Sequence, residues 1–248
     1  MSYPGGKEGS GVWQRLISLM PPHKGYIELF LGGGAVMRHK RLAPEFNIGA
    51  DVDPDVVGKF PRDEGVKLVC LPWEAVFEVE RVYFYRADVL VYLDPPYVLA
   101  SRNYRKYYKF ELSVPDHVAL LAAVRRWRCM VMLSGYSTGM YEEALKGWRR
   151  VEYSARTRGG VPRQEVVWMN FKEPEELHDY RFLGADFRER ECIRRQQVRW
   201  RAKLEKMGVQ RRYALLGVLA GQDIGGSRGA VLNGKKGDGA QKEIGNAE

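Results

Sequence analysis

Three short stretches contain residue types whose spacing can do chemistry. The strongest is Asp94-Pro95-Pro96-Tyr97, directly after an apolar run that ends at Leu93. Two consecutive prolines remove backbone donors and fix φ, so the carbonyls of Asp94 and Pro95 are held rigidly. A carboxylate acceptor, rigid carbonyls and an aromatic face suit a planar base bearing an amino group. Read without that ligand, the segment is a stiffened strand exit with a capping aspartate. The second stretch is Glu28-Leu29-Phe30-Leu31-Gly32-Gly33-Gly34. Its glycines allow a tight strand-to-helix turn and close approach of a ligand to a helix N-terminus. It is not the dinucleotide pattern, because Met37 stands at the last glycine position, and no Gly-Lys-Ser/Thr follows to make a Walker loop. The third is Asp51, at the tip of the next strand, from which Rossmann-like folds grip ribose hydroxyls. Asp53 and Asp55 compete for that role, and one of the three can instead cap the helix after Pro54.

The elements that must position these residues alternate in period. Gly11 to Met20 reads as a short amphipathic helix stopped by Pro21-Pro22. Tyr26 to Leu31, Phe46 to Ala50, Val66 to Leu71, Asp88 to Leu93 and Cys129 to Leu133 read as strands. The last two have the near-continuous apolar character of strands buried on both faces. Helices are expected from Ala35 to Leu42 and from Ser113-Val114-Pro115-Asp116 to Trp127. Strands alternating with helices imply an α/β layer architecture with a mostly parallel sheet. Trp148 to Ser154 and Glu165 to Phe171, separated by a Gly159-Gly160 turn region, look like an antiparallel hairpin added to that sheet. The expected organisation is an α/β domain over 1–172, a basic helical hairpin over 173–220 turned at Gly208, and a disordered glycine-rich tail over 221–248. In the hairpin, Ile193, Trp200, Leu204 and Met207 fit one helical face.

Composition sets the outer bounds. The 248 residues are 45% hydrophobic and 29% charged, which supports a core and excludes a disordered polyelectrolyte. Lys and Arg total 40 against 31 Asp and Glu, leaving +9 and favouring a polyanionic partner. Eleven of the cations, against four acids, fall between Arg181 and Arg212. Cys70, Cys129 and Cys192 lie far apart and form no C-x-x-C, which excludes a disulfide framework and a cysteine-rich zinc site. His23, His39, His117 and His178 show no metal-ligand spacing, and His117 reads as a structural or capping histidine. The N-terminal residues hold no apolar signal core and no run is long enough to span a bilayer, so a soluble cytoplasmic protein is expected.

In order, Tyr3-Pro4-Gly5-Gly6-Lys7, Glu28 to Gly34, Asp51 and Asp94-Pro95-Pro96-Tyr97 resemble the Dam-like DNA adenine methyltransferases that use S-adenosylmethionine. Leu133-Ser134-Gly135-Tyr136 and Glu165-Val166-Val167-Trp168-Met169-Asn170 extend the resemblance, which covers roughly residues 1 to 172. Residues 174–220 resemble the tails of phage-encoded members. The resemblance implies a Rossmann-like class I methyltransferase fold and S-adenosylmethionine as cofactor. It places Tyr3 and Lys7 at the methionine end of the cofactor, with the Lys7 ammonium near its carboxylate, and Phe30, Gly32 and Gly34 beneath it. Asp51 would take the ribose hydroxyls, and Asp94 would lie close to both cofactor and target amine. Glu28, Trp73, Cys70 and Leu71 are expected as walls, and Tyr97 as a stacking face for a base swung out of its helix.

On this reading Asp94 and the Pro95 carbonyl each accept one N–H of the adenine amine, freeing its lone pair for in-line attack on the sulfonium methyl. Cytosine-carbon methylation is excluded, because it needs a thiolate in a Pro-Cys pair and none of the three cysteines follows proline. Relatives such as Dam insert a target-recognition region between the ribose acid and Asp-Pro-Pro-Tyr, whereas only 42 residues lie between Asp51 and Asp94 here. Contact with double-stranded DNA is therefore expected from Arg102, Tyr104, Arg105, Lys106 and Tyr108, from Arg156 and Arg158, and from the basic helices. An RNA adenine methyltransferase and a DNA-binding protein without catalysis remain open as alternatives at this point.

Overall fold

Near-continuous apolar runs dictate a sheet covered on both faces. The computed structural model describes residues 7, 8, 11–102, 108–156 and 162–221. The chain begins α1 (Val12–Ile17), β1 (Gly25–Leu29), α2 (Ala35–His39), β2 (Phe46–Asp51), α3 (Pro54–Lys59) and β3 (Lys67–Cys70). It continues α4 (Trp73–Val79), β4 (Val89–Leu93), α5 (Val114–Val124), β5 (Met130–Gly135) and α6 (Gly139–Ala144). The hairpin β6 (Arg149–Arg156) and β7 (Pro162–Met169) follows, then α7 (Phe187–Glu205) and α8 (Val209–Leu219).

The seven strands are ordered β3-β2-β1-β4-β5-β7-β6. The first five in that order are mutually parallel, while β7 runs antiparallel to β5 and to β6. This order, with one reversed strand inside the hairpin edge, is the Rossmann-like class I methyltransferase topology. The hairpin was expected as an addition to the sheet. Its second strand, not its first, pairs with β5, which leaves β6 at the edge.

Every residue of β1 and β4 is buried, and their side chains alternate between two cores. Ile27, Leu29, Val89, Val91 and Leu93 face the layer that holds α4, α5 and α6. Tyr26, Leu90 and Tyr92 face the layer that holds α1, α2 and α3. Burial of this kind contributes roughly 25 cal/mol per Å² of apolar surface. The parallel order reverses between β1 and β4, and ligands of open α/β sheets bind outside the strand C-termini at such a switch point. Leu29 and Leu93, paired across that switch, are the residues from which the glycine loop and Asp94-Pro95-Pro96-Tyr97 depart.

Helix α5 begins as its sequence dictates. Ser113 and Asp116 form a reciprocal capping box, with Pro115 in the first turn. Helices α4 and α6 were not anticipated; each is under two turns long and lacks the repeats that periodicity needs.

Residues 1–196 form one compact unit and 197–248 a second, so the division falls within α7. Within the first unit, residues 177–182 form a strap rather than part of a helical hairpin. The His178 amide donates to the Met20 carbonyl, and Asp179 accepts from the Arg41 amide and the Arg181 guanidinium. Helix α7 buries none of its residues; Ile193, Leu204 and Met207 are half-buried and Trp200 is exposed. Gly208 caps α8, at the expected turn. The expected tail over 222–248 lies outside the described residues, as do Tyr3, Tyr104, Arg105, Lys106 and Arg158.

Candidate active site

The loop after β1 is shaped by left-handed backbone. Phe30, Gly32 and Gly34 have φ of 60°, 51° and 62°. Gly34 admits no other residue without rearrangement, because a Cβ there would lie 2.2 Å from a ring carbon of Phe60. Phe30 is the one non-glycine with positive φ among the described residues. For a bulky side chain that geometry costs on the order of 1–3 kcal/mol, and such strain concentrates at functional sites. The loop borders a cavity of about 300 Å³, at the lower end of small-molecule sites.

Asp51, at the tip of β2, faces this cavity and fixes the loop. Its Oδ2 accepts the Gly32 amide at 2.8 Å and its Oδ1 accepts the Asp53 amide at 2.9 Å. Burial pushes the Asp51 carboxyl above the usual aspartate value, and the amides of Asp53 and Gly32 pull it back. The three acids have different partners, and both Asp51 and Asp53 line the cavity. Asp53 is the N-cap of α3, accepting the Asp55 amide at 3.0 Å, and Asp55 is exposed. Lys109 bridges both of them, at 2.9 Å to each. Tyr108, expected to touch nucleic acid, lies with Lys109 and Phe110 on the cavity wall opposite the glycine loop.

Asp94 stands one residue beyond β4, at the same C-terminal edge of the sheet as Asp51. Its Oδ1 receives the Lys7 ammonium at 2.9 Å and the Tyr97 hydroxyl at 3.3 Å. Oδ2 takes no hydrogen bond among the described residues. Asp94 and Pro96 line the cavity, while Pro95 and the Tyr97 ring are buried behind it. Lys7 was expected beside a cofactor carboxylate. It lines the cavity, yet its ammonium already lies between two protein carboxylates, Asp94 and Glu165, the latter at 3.1 Å. Burial disfavours that ammonium, but Asp94 and Glu165 outweigh burial, so Lys7 is held protonated well above the ordinary lysine value. Burial and the Glu165 charge push Asp94 up, and Lys7 pulls it down.

A second wall carboxyl is shifted toward its neutral form. Glu28 is pushed up to about 8, chiefly by burial, while the Tyr26 hydroxyl donates to it at 2.9 Å. Among the other expected wall residues, Trp73 is part of the α4 core and Leu71 packs against it, while Cys70 is exposed; none of the three lines the cavity. Those positions end or follow β3, which lies two strands from β1 and the switch point. His117 is buried and hydrogen-bonds the Tyr141 hydroxyl at 2.8 Å, as a structural histidine does.

The expected nucleic-acid contacts converge in part. Arg102 ends a short 3-10 turn, Leu99–Arg102, that follows Tyr97, and Arg156 ends β6. The Arg163 guanidinium donates to the Ser101 carbonyl at 3.4 Å and lies over the Tyr136 ring, whose centroid is 4.4 Å from that of Tyr97. The hairpin end and the turn after Asp94-Pro95-Pro96-Tyr97 are therefore neighbours. Sequence reasoning assigned no role to Tyr153, and none to Glu165 or Ser134 beyond the motifs in which they stand; Lys109 entered only as the end of the basic, aromatic stretch from Ser101. A glutamate heading the apolar run Val166-Val167-Trp168-Met169 was the available signal for Glu165.

Among the described residues no helix is long and apolar enough to cross a membrane, and no cluster of three His, Cys, Asp or Glu could hold a metal ion.

No protein-family model and no curated protein matches the chain. Several solved structures overlay on it. A SAM-dependent methyltransferase from Agrobacterium tumefaciens matches 64% of this chain and 60% of its own, at 14% identity and a TM-score of 0.42. A Streptococcus mutans protein named for the same activity matches 64% and 47%, at 13% identity and 0.40. Precorrin-6y C5,15-methyltransferase from Geobacter metallireducens matches 64% and 84%, at 14% identity and 0.35. The chain thus spans less than two thirds of the first two proteins. Its own strand order and site geometry carry the argument.

Proposed function

We propose that this chain transfers a methyl group from S-adenosylmethionine to the exocyclic N6 amine of adenine in DNA, as a Dam-like, phage-type enzyme. The observation that carries the reading is the Asp94-Pro95-Pro96 strand exit beside a cavity whose other end holds the Asp51-anchored glycine loop. The residues suit the cofactor. An anionic acceptor held by two backbone amides stands where a ribose diol would donate, and a glycine loop with left-handed backbone leaves room for close approach. Phe30, Gly32 and Gly34 would cradle the cofactor and Asp51 would hold its ribose. When bound, S-adenosylmethionine supplies an electrophilic sulfonium methyl.

The chain's own residues account for activation of the amine. The lone pair of an adenine amine is delocalised into the ring, so the nitrogen is a poor nucleophile. Asp94 Oδ2 and the Pro95 carbonyl, held rigid by the two prolines, each accept one N–H and favour the tetrahedral nitrogen. The Lys7 ammonium fixes the other carboxylate oxygen, so Asp94 meets the amine in one orientation. The Tyr97 ring is buried, so stacking of an extruded base, worth about 1–3 kcal/mol, would fall to the half-buried Tyr136 beside it.

The test is incubation of the protein and cofactor with unmethylated genomic DNA, and separately with RNA, followed by detection of modified adenines. Wild-type transfer to DNA, lost in Asp94→Ala, supports the reading. Transfer to RNA alone makes the protein an RNA adenine methyltransferase, and transfer to neither, with DNA retained, makes it a binding protein.

A further inference from the structure

Burying a carboxylate inside a sheet costs several kcal/mol unless charge and hydrogen bonds offset it, so Glu165 on β7 calls for a reason. It shares the parity of Val167 and Met169, which face the same core as Tyr153 directly across the hairpin. Three donors from separate parts of the chain converge on its Oε2. These are the Tyr97 hydroxyl at 2.8 Å, the Tyr153 hydroxyl at 3.0 Å and the Lys7 ammonium at 3.1 Å. The Tyr153 oxygen also lies 3.3 Å from the Ser134 hydroxyl, which is within hydrogen-bond distance of Tyr92 on β4.

We propose that Glu165 is a positioning residue for methyl transfer, which shares the Lys7 ammonium with Asp94 and so leaves Asp94 a surplus of negative charge toward the substrate amine. The inference rests on the function proposed above. One ammonium stands between two carboxyl groups, at 2.9 Å from Asp94 and 3.1 Å from Glu165, so Lys7 does not pair with Asp94 alone. With Glu165 neutral, Lys7 would be matched by Asp94 alone, and Asp94 would become a weaker acceptor. Tyr97 would also lose the closer of its two carboxylate partners, since Glu165 is at 2.8 Å and Asp94 at 3.3 Å. The single Tyr97 proton thus has its nearer acceptor in Glu165, and the Tyr153 hydroxyl is held by Glu165 with no contact to Asp94.

The experiment compares wild type, Glu165→Gln and Glu165→Asp by two readouts. The first is steady-state methyl transfer with separately measured Kd for cofactor and DNA. Glu165→Gln should lower kcat about tenfold or more while both Kd values stay within about twofold, and Glu165→Asp should recover part of kcat. The second is the titration of Lys7 in the ligand-free protein, followed by NMR of ¹³C-labelled lysine side chains. Glu165→Gln should shift Lys7 to lower pKa, because one of its two carboxylates is gone, and Glu165→Asp should shift it less. An unchanged Lys7 titration, or unchanged kcat in an active enzyme, would overturn the proposal and leave Glu165 a structural polar group. Should Glu165→Gln not fold, Glu165→Asp decides by the same two readouts. If wild type methylates neither DNA nor RNA, the proposed function fails, and the Lys7 titration still judges the shared charge.

Discussion

Replacing Asp51 with alanine separates what the loop does for the fold from what it does for the ligand. In the structure the carboxylate accepts two backbone amides, at 2.8 and 2.9 Å. A hydrogen bond to a charged group contributes roughly 1.5–3 kcal/mol net. Burial raises the pKa of this carboxyl, however, so part of that gain is spent on desolvation. A loss of about 2 kcal/mol in folding stability is therefore expected, below the sum for two charged bonds. The ligand effect is separate. Losing the acceptor for the ribose hydroxyls should weaken cofactor binding by about ten- to a hundredfold. Calorimetry with S-adenosylhomocysteine, which cannot react, measures that Kd, and urea unfolding measures the stability. The DNA affinity of the ligand-free protein should hardly move. A Kd equal to wild type would refute the ribose role outright, since Asp53 is committed to capping α3 and Asp55 to Lys109.

Gly34→Ala should destabilise by roughly 2–4 kcal/mol. The left-handed φ costs an L side chain about 1–2 kcal/mol, and the Phe60 ring must move to admit a Cβ 2.2 Å away; an unfolding midpoint unchanged in urea would contradict that packing. His23 is pushed down to about 2 by burial first and by the Lys40 charge second, so the native state keeps it neutral while the unfolded chain protonates near pH 6.5. The stability this confers is fully present above pH 6.5 and is lost as pH falls below it, at up to about 1.4 kcal/mol per pH unit. His23→Asn should flatten the slope of stability against pH between 6 and 4 by about one proton, and an identical slope in wild type and variant would remove His23 as its source.

The parts of the site legible in the sequence are those set by local rules. The buried run ending at Leu93 placed Asp94 at a strand exit, because a strand covered on both faces has no polar alternation to obscure its end. The glycine loop was legible because left-handed backbone selects glycine at 32 and 34. Phe30, in the same conformation at φ 60°, shows where that rule breaks at a strained position. Which of three aspartates caps α3 depended on a hydrogen bond that composition cannot rank. Glu165 and Lys7 meet across 158 residues of chain, and no local signal reports such a partner. The hairpin was legible as two strands, but which of them joins β5 is settled by packing in the assembled sheet. Tyr108, assigned to DNA from its basic, aromatic surroundings, lines the cavity beside Lys109, which pairs with Asp53.

The short spacing between Asp51 and Asp94 leaves recognition to other elements, and the charges of the last two helices can be sorted for that purpose. Arg181 is committed to Asp179 and the His39 carbonyl, and Arg194 and Arg195 both pair with Glu191. By contrast Arg199, Arg201, Lys203, Lys206, Arg211 and Arg212 make no ion pair among the described residues, and Glu205 is the one acid between the first and last of them. A strap at 177–182 ties down the first unit, so truncation after Lys172 would remove stabilising contacts together with the cations. Truncation after Gln196, at the division between the units, removes these six cations and keeps the strap. If they grip the phosphate backbone, the truncated protein should bind DNA more weakly, with a flatter salt dependence. Each lost phosphate contact lowers the slope of log K against log salt by about 0.9 on duplex DNA. Target preference should change less than affinity, because phosphate contacts position a protein without reading bases. An unchanged slope, with cofactor Kd intact to show that the α/β unit still folds, would exclude these helices from the DNA contact. A loss of target preference at unchanged slope would make them the reader.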